Sequence, residues 1–341
     1  MKHTFSWKNP KPAKTCAIVR FGAQGDCIQV SSILPWLKEQ GYHITWYLQA
    51  GHGYDTVRHD PHVDRFIVQG NNDVPIQVLP EFLDYEAKKY TKFVNLCESV
   101  EGTLLPGPAN IAHIWPNHLR AKYLDRNYLE WTHELAGVPP PYRPKFYATL
   151  EEKAWARKKA SQWGKKNILW SLAGSAVHKT WPHLDQIIAL LMLEMPDVHV
   201  VLVGDDLCKL LEQGWEKEPR VHCKSGEWSI RESMAFAEVA DLIIGSETGL
   251  LNAAGMLDVP KIVTLSHSSE EMLTKHWTNV IALRQPEGVG CPKQPCRMMH
   301  YNWTHCMKHE SGTARCQWEI TPDSMWYAIA SVLKRETRKV A

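Results

Sequence analysis

The sequence predicts an α/β protein with two doubly wound parallel-sheet domains that face each other across a cleft. Three observations predict this fold. The 341 residues exceed what one hydrophobic core usually serves. Apolar strand-like runs alternate with amphipathic helices in both halves, which is typical of a parallel sheet with helices on both faces. A proline break at 139–141 and a polar stretch at 142–166 separate the two series.

The first domain is predicted to span residues 1–150. A Gly-rich turn at 21–26 follows its first strand, and a proline break closes its last helix. The predicted strands are 15–20, 43–48, 65–68 and 92–96, and the predicted helices are 28–39 and 119–135.

The second domain is predicted to span residues 151–320 and includes a cysteine-rich segment at 291–316. A last amphipathic helix, 321–338, begins at a Thr-Pro-Asp sequence within a terminal segment of 321–341. The other predicted helices are 151–162, 183–195, 229–239 and 250–256, and the predicted strands are 168–172, 198–203, 241–244 and 261–265.

The composition indicates a cytoplasmic protein. No apolar run approaches the ~20 residues of a transmembrane helix, and the first fifteen residues lack the apolar core of a signal peptide. A net charge of +2 predicts no strong preference for nucleic acid and at most a peripheral membrane contact. Nine cysteines in such a chain point away from a disulfide framework.

The most informative stretch is 239–255, in which an apolar strand passes through a polar turn into a small-residue helix. The turn holds Ser246, Glu247, Thr248 and Gly249. Backbone N–H groups and the positive end of a helix dipole meet at such a point, and phosphate is the usual occupant. The stretch therefore predicts binding of a phosphorylated ligand.

Two further loops follow predicted strands. The loop at 22–26 is neither a dinucleotide fingerprint nor a P-loop, and it ends on Asp26, which is either a capping carboxylate or a general base. The loop at 173–182 contains Lys179, which is either a solvated lysine or a charge that neutralises phosphate. The loop at 173–182 and the turn at 246–249 lie in the same predicted domain, and two anion-binding loops in one domain favour a diphosphate.

No Asp-x-Asp pair occurs in the chain, although many glycosyltransferases use such a pair to hold a metal ion against a nucleoside diphosphate. Its absence favours a site in which lysine, hydroxyl groups and a helix N-terminus take that role. We expect no catalytic metal.

Four motifs follow one another along nearly the whole chain: IVRFGAQGD at 18–26, LAGSAVHKTWP at 172–182, VLVG at 201–204 and ADLIIGSETG at 240–249. With these motifs the chain resembles glycosyltransferase family 9, the heptosyltransferases that act on lipopolysaccharide core. The resemblance implies the GT-B fold, with two Rossmann-like domains.

The resemblance implies an inverting transfer of sugar from a nucleotide-diphosphate sugar, either ADP- or UDP-linked. Asp26 would be the catalytic base and Lys179 would neutralise the leaving diphosphate. The last helix would pack back on the first domain. The predicted donor-binding residues are Gly25, Ser175, Lys179, Thr180, Glu247, Thr248, Gly249 and Asn252.

Two departures concern the donor sugar. The family usually has Asp where this chain has Glu247, and it often has His where this chain has Asn252. Both positions are expected near the donor, so the identity of the sugar stays open.

A third departure is the density of cysteines near the C-terminus. Cys291, Cys296, Cys306 and Cys316 are spaced by five, ten and ten residues, with histidines between them. They are candidate ligands of a structural Zn²⁺, candidate disulfide partners, or thiols without a metal in a compact loop.

The acceptor is also open. The family suggests a lipopolysaccharide core sugar or a related glycan. A phage-type transferase acting on a hydroxylated base in DNA keeps the same chemistry. A non-catalytic protein that binds nucleotide sugars is a third alternative, which the presence of Asp26 and Lys179 disfavours.

Overall fold

A computed structural model describes residues 14–70, 73–97, 99–100, 116–174, 176–297 and 306–334. The elements of the first domain, in chain order, are β1 (Thr15–Val19), α1 (Gln24–Val30), α2 (Leu34–Glu39), β2 (His43–Gln49), α3 (His52–Val57), β3 (Arg65–Gln69), α4 (Leu79–Ala87), β4 (Lys92–Asn95), α5 (Asn117–Leu124) and α6 (Tyr128–Ala136).

The four strands of this domain form one parallel sheet in the order β3-β2-β1-β4. Residues 16–19 of the central strand β1 are fully buried, because packed elements cover both faces. From β1 the chain continues to β2 and β3 on one side of the sheet and then returns to β4 on the other side, so the strand order reverses between β1 and β4. The loop after β1 therefore opens at the switch point, where ligands of such sheets usually bind.

The long helix predicted over 119–135 is wrong, because the structure contains two helices there. Asn127 begins the second of them: its side-chain oxygen accepts hydrogen bonds from the N–H groups of Leu129 and Glu130. An Asn that caps a helix in this way must itself have an extended backbone, so one continuous helix is excluded.

The elements of the second domain are α7 (Leu150–Trp163), β5 (Lys166–Ser171), α8 (Leu184–Glu194), β6 (Val198–Val203), β7 (Val221–Cys223), α9 (Ile230–Ala237), β8 (Leu242–Ser246), α10 (Gly249–Ala254), β9 (Lys261–Thr264), β10 (Val280–Leu283), α11 (Arg315–Trp318) and α12 (Pro322–Leu333).

The six strands are all parallel, in the order β10-β9-β8-β5-β6-β7. This is the doubly wound arrangement, with its switch point between β5 and β8. The predicted fold class is confirmed. The sequence reasoning missed β7 and β10, which are short edge strands of three and four residues.

The described part of the last helix packs on its own domain. Met325, Ile329 and Leu333 of α12 are buried in the core of the second domain, and the helix packs on α8 and β10. The apolar stripe of α12 packs into the core beneath the second sheet. The packing of the segment 321–341 on the first domain stays a prediction, because residues 335–341 lie outside the described ranges.

The two domains share buried contacts. Ile28 and Tyr128 of the first domain belong to the same core as Leu251 and Phe236 of the second. Beside this core, the buried side chain of Arg231 donates hydrogen bonds to both carboxylate oxygens of Glu152 and to backbone carbonyls, which are those of Asp55, Thr56 and Tyr147. The domains are therefore joined by packing as well as by the connecting chain.

Within the described ranges, no helix has both the length and the apolar character needed to cross a membrane.

Candidate functional site

Three loops meet where the two switch points face each other. One follows β1 and leads into α1, one follows β5 and ends in a 3₁₀ turn at Val177–Lys179, and one follows β8 and leads into α10. Parallel strands end at the same edge of their sheet, so the second and third loops are neighbours. These are the loops in which the sequence placed its candidate residues.

Asp26 lies in the first turn of α1. Its Oδ2 atom accepts a hydrogen bond from the Ala23 N–H at 2.9 Å and lies 3.0 Å from Nη2 of Arg20. Arg20 is fully buried and donates to the Cys97 carbonyl, so the guanidinium is fixed. The carboxylate is therefore held in a defined orientation, and it remains partly exposed.

Gly22 makes this arrangement possible. A Cβ atom at position 22 would lie 2.8 Å from Oδ2 of Asp26 and 3.0 Å from Cζ of Arg20. Any side chain there would push the two charged groups apart. The glycine is needed for the ion pair rather than for a special backbone angle.

Lys179 lies on the opposite side, in the second domain, and is partly buried. Its Nζ atom donates to the backbone carbonyl of Glu247 at 3.2 Å. Burial lowers the pKa of Lys179, and the carboxylates of Glu247 and Asp26 act in the opposite direction. Asp26 is thus close enough to influence Lys179 electrostatically, although the two residues belong to different domains.

The turn after β8 is organised by Thr248. Its Oγ1 atom accepts a hydrogen bond from the Leu251 N–H at 3.3 Å, which caps α10, and the Ser171 hydroxyl donates to the same oxygen. Ser246, expected in the turn, is the last residue of β8. Thr180 lies next to Lys179 in the neighbouring loop, and Ser175 is outside the described residues.

Glu247 points into the protein. Its Oε1 atom accepts the N–H groups of Ser266 and Ser268, and its Oε2 atom accepts the Ser266 hydroxyl at 2.6 Å and contacts Nδ1 of His267 at 2.5 Å. Burial raises the pKa of this carboxyl, but His267, Lys179 and Ser266 outweigh that effect and hold the pKa below its ordinary value. Glu247 is therefore a buried anion inside a hydrogen-bonded network.

Gly25 and Asn252 were both predicted to bind the donor, and the structure brings them together with each other. A Cβ atom on Gly25 would lie 3.0 Å from the amide nitrogen of Asn252, and one on Gly249 would lie 2.7 Å from Cβ of Gln24. The Asn252 amide donates to the Thr248 carbonyl and accepts from Gln29 at 3.4 Å. These residues form the contact between α1 and α10 across the domain boundary.

Sequence reasoning missed the segment 266–268, which follows β9. Ser266, His267 and Ser268 are all buried. Ser268 also shares a hydrogen bond with the Tyr128 hydroxyl of α6. The pattern Ser-His-Ser-Ser directly after an apolar strand was the available signal, since it places polar side chains at the same edge of the sheet as Glu247.

The four C-terminal cysteines are gathered in one place. Cys291 and Cys316 are buried around Ala314, with Cys306 against them. Burial raises the pKa of the Cys316 thiol, and the neighbouring Cys296, Cys291 and Cys306 raise it further. None of the nine cysteines forms a disulfide, so the disulfide alternative is wrong for this structure.

Four thiols are a donor set that suits zinc or iron. Among the residues that the structure describes, however, no group of three or more His, Cys, Asp or Glu side chains is arranged to hold a metal ion. The thiols are therefore neighbours without converging on one point, and the zinc site stays a prediction.

The cysteine segment also contacts residues 265–267, which follow β9, and the first domain. The Gln294 amide donates to the carbonyls of Leu265 and Ser266, and the Arg297 N–H donates to the His267 carbonyl. The Arg297 guanidinium lies 3.0 Å from Asp125 of the first domain. A cavity of about 400 Å³ lies beside this segment, lined by residues 284–292 and Gln294.

No protein-family model and no curated protein matches the sequence. Solved structures do match the fold. A family 9 glycosyl transferase from Veillonella parvula has 14% identity and a TM-score of 0.65, with 95% of this chain and 98% of that chain covered. The Escherichia coli ADP-heptose lipopolysaccharide heptosyltransferase II has 16% identity and a TM-score of 0.63, with 95% and 99% covered.

A third similar structure is TibC, an iron-containing dodecameric glycosyltransferase from enterotoxigenic E. coli. It has 12% identity and a TM-score of 0.60, with 95% of this chain and 80% of that chain covered. The similarities confirm the two-domain fold that the resemblance implies. At these identities they show the fold alone.

Proposed function

We propose that this protein is an inverting, metal-independent glycosyltransferase that moves a sugar from a nucleotide-diphosphate sugar to an acceptor hydroxyl. The observation that carries the proposal is the meeting of Asp26 with Lys179 and the Thr248–Gly249 turn, which come from two domains and share one electrostatic neighbourhood. Donors of this class occupy related folds: the TibC structure was also solved in complex with ADP-D-β-D-heptose.

In the proposed reaction Asp26 accepts the proton of the acceptor hydroxyl while that oxygen attacks the anomeric carbon of the donor. The bond between this carbon and the diphosphate oxygen breaks, and the electron pair leaves with the nucleoside diphosphate. Attack from the face opposite the leaving group inverts the configuration. A carboxylate held by Arg20 and Ala23 is suited to act as the base, because its orientation is fixed before the substrate arrives.

Lys179 and the backbone N–H groups at the start of α10 stabilise the negative charge that develops on the leaving diphosphate. A lysine in a partly buried site stabilises such charge more strongly than one in water. Since this cation supplies the compensation, the proposal includes no catalytic metal. The acceptor is proposed to be a glycan hydroxyl, as in the family that the sequence resembles, and the compartment to be the cytoplasm.

The test is a thermal-shift panel of ADP-heptose, UDP-hexoses, UDP-pentoses and GDP-mannose. A ligand that binds the folded state raises the melting temperature. We expect a shift with an ADP- or UDP-linked sugar, followed by release of the nucleoside diphosphate when a glycan acceptor is added. A panel without any shift contradicts the proposal, and transfer only to a hydroxylated DNA base replaces the acceptor.

The four C-terminal cysteines carry a separate proposal, a structural metal ion. The shared neighbourhood of their thiols supports it. We expect about one zinc or iron per chain in purified protein by mass spectrometry of the metal content. Cys316→Ser should lower that content, whereas Cys208→Ser, a buried cysteine outside the cluster, should not. Metal-free native protein contradicts the proposal.

A further inference from the structure

The carboxylate of Glu247 has no acceptor position left for a ligand. A carboxylate accepts about four hydrogen bonds, two on each oxygen. The Ser266 and Ser268 N–H groups occupy Oε1, and the Ser266 hydroxyl and His267 occupy Oε2. All the acceptor positions of the Glu247 side chain are therefore occupied by segment 266–268, which follows the neighbouring strand β9.

The main chain at Glu247 faces the other way, toward the proposed donor site. Its carbonyl accepts the hydrogen bond from Nζ of Lys179, and the next residue, Thr248, caps α10. Glu247 thus connects two groups of atoms: the buried segment on its side-chain side, and the lysine and turn on its backbone side.

Segment 266–268 is itself attached to the first domain. The Tyr128 hydroxyl pairs with Oγ of Ser268 at 3.0 Å, and a few residues later the Asn127 amide donates to the Glu271 and Met272 carbonyls. Both partners lie at the start of α6. A displacement of the segment would therefore disturb the donor turn and the interface with the first domain together.

Resting on the proposed function, we propose that Glu247 is a positioning residue for donor binding. Its carboxylate fixes the turn after β8 to segment 266–268, and this holds Lys179 and the start of α10 in place for the diphosphate. Glu247 acts through these groups and does not touch the donor.

Two substitutions distinguish the effect of side-chain length at position 247 from the effect of its charge. Glu247→Asp keeps the charge but is one methylene shorter, so it cannot hold both serine N–H groups and His267. Glu247→Gln keeps the length and still accepts the two N–H groups through one oxygen. If Glu247 acts by position, Asp is the worse replacement. If its charge contacted the donor directly, Gln would be worse.

The first measurement is the affinity for ADP, for UDP and for GDP by calorimetry. We expect Glu247→Asp to weaken the nucleotide that the unaltered chain binds by about tenfold or more, and Glu247→Gln to weaken it less. Hydrogen exchange of the peptide covering 264–272 should accelerate in the same order. With a donor sugar, the KM for the donor should rise more than kcat falls.

The matched control is Glu212→Gln. Glu212 is a buried glutamate of the same domain whose Oε1 atom accepts the Ser225 N–H at 2.9 Å, away from the proposed site. Its replacement should leave nucleotide affinity unchanged. If Glu247→Asp binds the nucleotide as tightly as the unaltered chain, the positioning role is overturned and the proposed function stands. If the unaltered chain binds none of ADP, UDP and GDP, the proposed function is overturned, and the positioning role with it.

Discussion

Asp26 and Glu247 each lie beside the switch point of their own domain, yet their surroundings differ. Asp26 is in the first turn of α1, which follows β1, and Glu247 lies between β8 and α10. The Asp26 side chain is 20% exposed, and both of its contacts described above fall on one oxygen. The Glu247 side chain is 3% exposed, and both of its oxygens are in use. A carboxylate at a strand end is thus suited to act on a ligand only when its neighbours leave an oxygen open.

The largest effect should come from the exposed carboxylate. Asp26→Asn keeps an acceptor for the Ala23 N–H but removes the base, so we expect transfer to fall by about 10²–10⁴-fold. Initial rates with a saturating donor measure this. Asp64→Asn is the matched control, because Asp64 also pairs with a cation, Lys38, and accepts a backbone N–H. Transfer at an undiminished rate by the Asp26 variant would remove the base from the mechanism.

The second effect concerns Lys179, whose pKa is lowered by burial and raised by both carboxylates. Lys179→Met keeps the stem and removes the charge, so kcat/KM should fall by about 10²-fold. Burial lowers the pKa of Lys179 from its ordinary 10.5, and only the protonated form neutralises a diphosphate. Activity should therefore decline as the pH rises, at a pH below 10.5. Lys179→Arg should shift that decline to higher pH, and an unshifted profile would contradict this assignment.

The buried carboxylate should show its effect in stability. The pKa of Glu247 in the folded chain is below the ordinary 4.5, so its contribution is present above that pH and is lost as the pH falls toward the folded value. Glu247→Gln should cost about 1–3 kcal/mol at pH 7, because buried hydrogen bonds lose their partner. Melting curves of the two proteins should converge below about pH 4.5. Curves that stay parallel in acid would contradict the ionised state of Glu247.

The last effect concerns the contact between α1, which contains Asp26, and α10, which follows Glu247. Gly249→Ala places a Cβ atom 2.7 Å from Cβ of Gln24, and we expect a loss of about 1–3 kcal/mol from overpacking. Gly25→Ala meets only the amide end of Asn252 at 3.0 Å and should cost less. Urea unfolding of both variants measures the difference. Equal stabilities, or the reverse order, would show that α1 and α10 are less closely packed.

Much of the fold could be predicted because apolar strands and glycine turns are local signals. Strand β6 lies where the sequence placed it, and the switch-point loops follow strands that the sequence identified. The division of 119–135 into two helices depended on one capping contact of Asn127. The packing of α12 depended on its contacts with α8 and β10, and no short sequence pattern encodes those.

The sequence predicted which residue types form the candidate site, but it did not predict which residues they contact. Asp26 and Lys179 were chosen because a carboxylate and a lysine follow strands, and in the structure burial lowers the pKa of Lys179 while the Asp26 carboxylate raises it. Glu247 was chosen on the same grounds, but its partners lie about twenty residues later in Ser266 and Ser268. A local pattern cannot show whether a carboxylate faces solvent or the neighbouring loop.

The buried guanidinium of Arg231 has a consequence for how this molecule unfolds. Separating the domains would remove its three carbonyl partners in the first domain, those of Asp55, Thr56 and Tyr147, and leave only Glu152 of its own domain. Buried donors that lose their acceptors are destabilising, so neither half gains by opening alone. The two domains should therefore unfold in a single cooperative transition. A nucleotide that binds to one domain should raise the melting temperature of both.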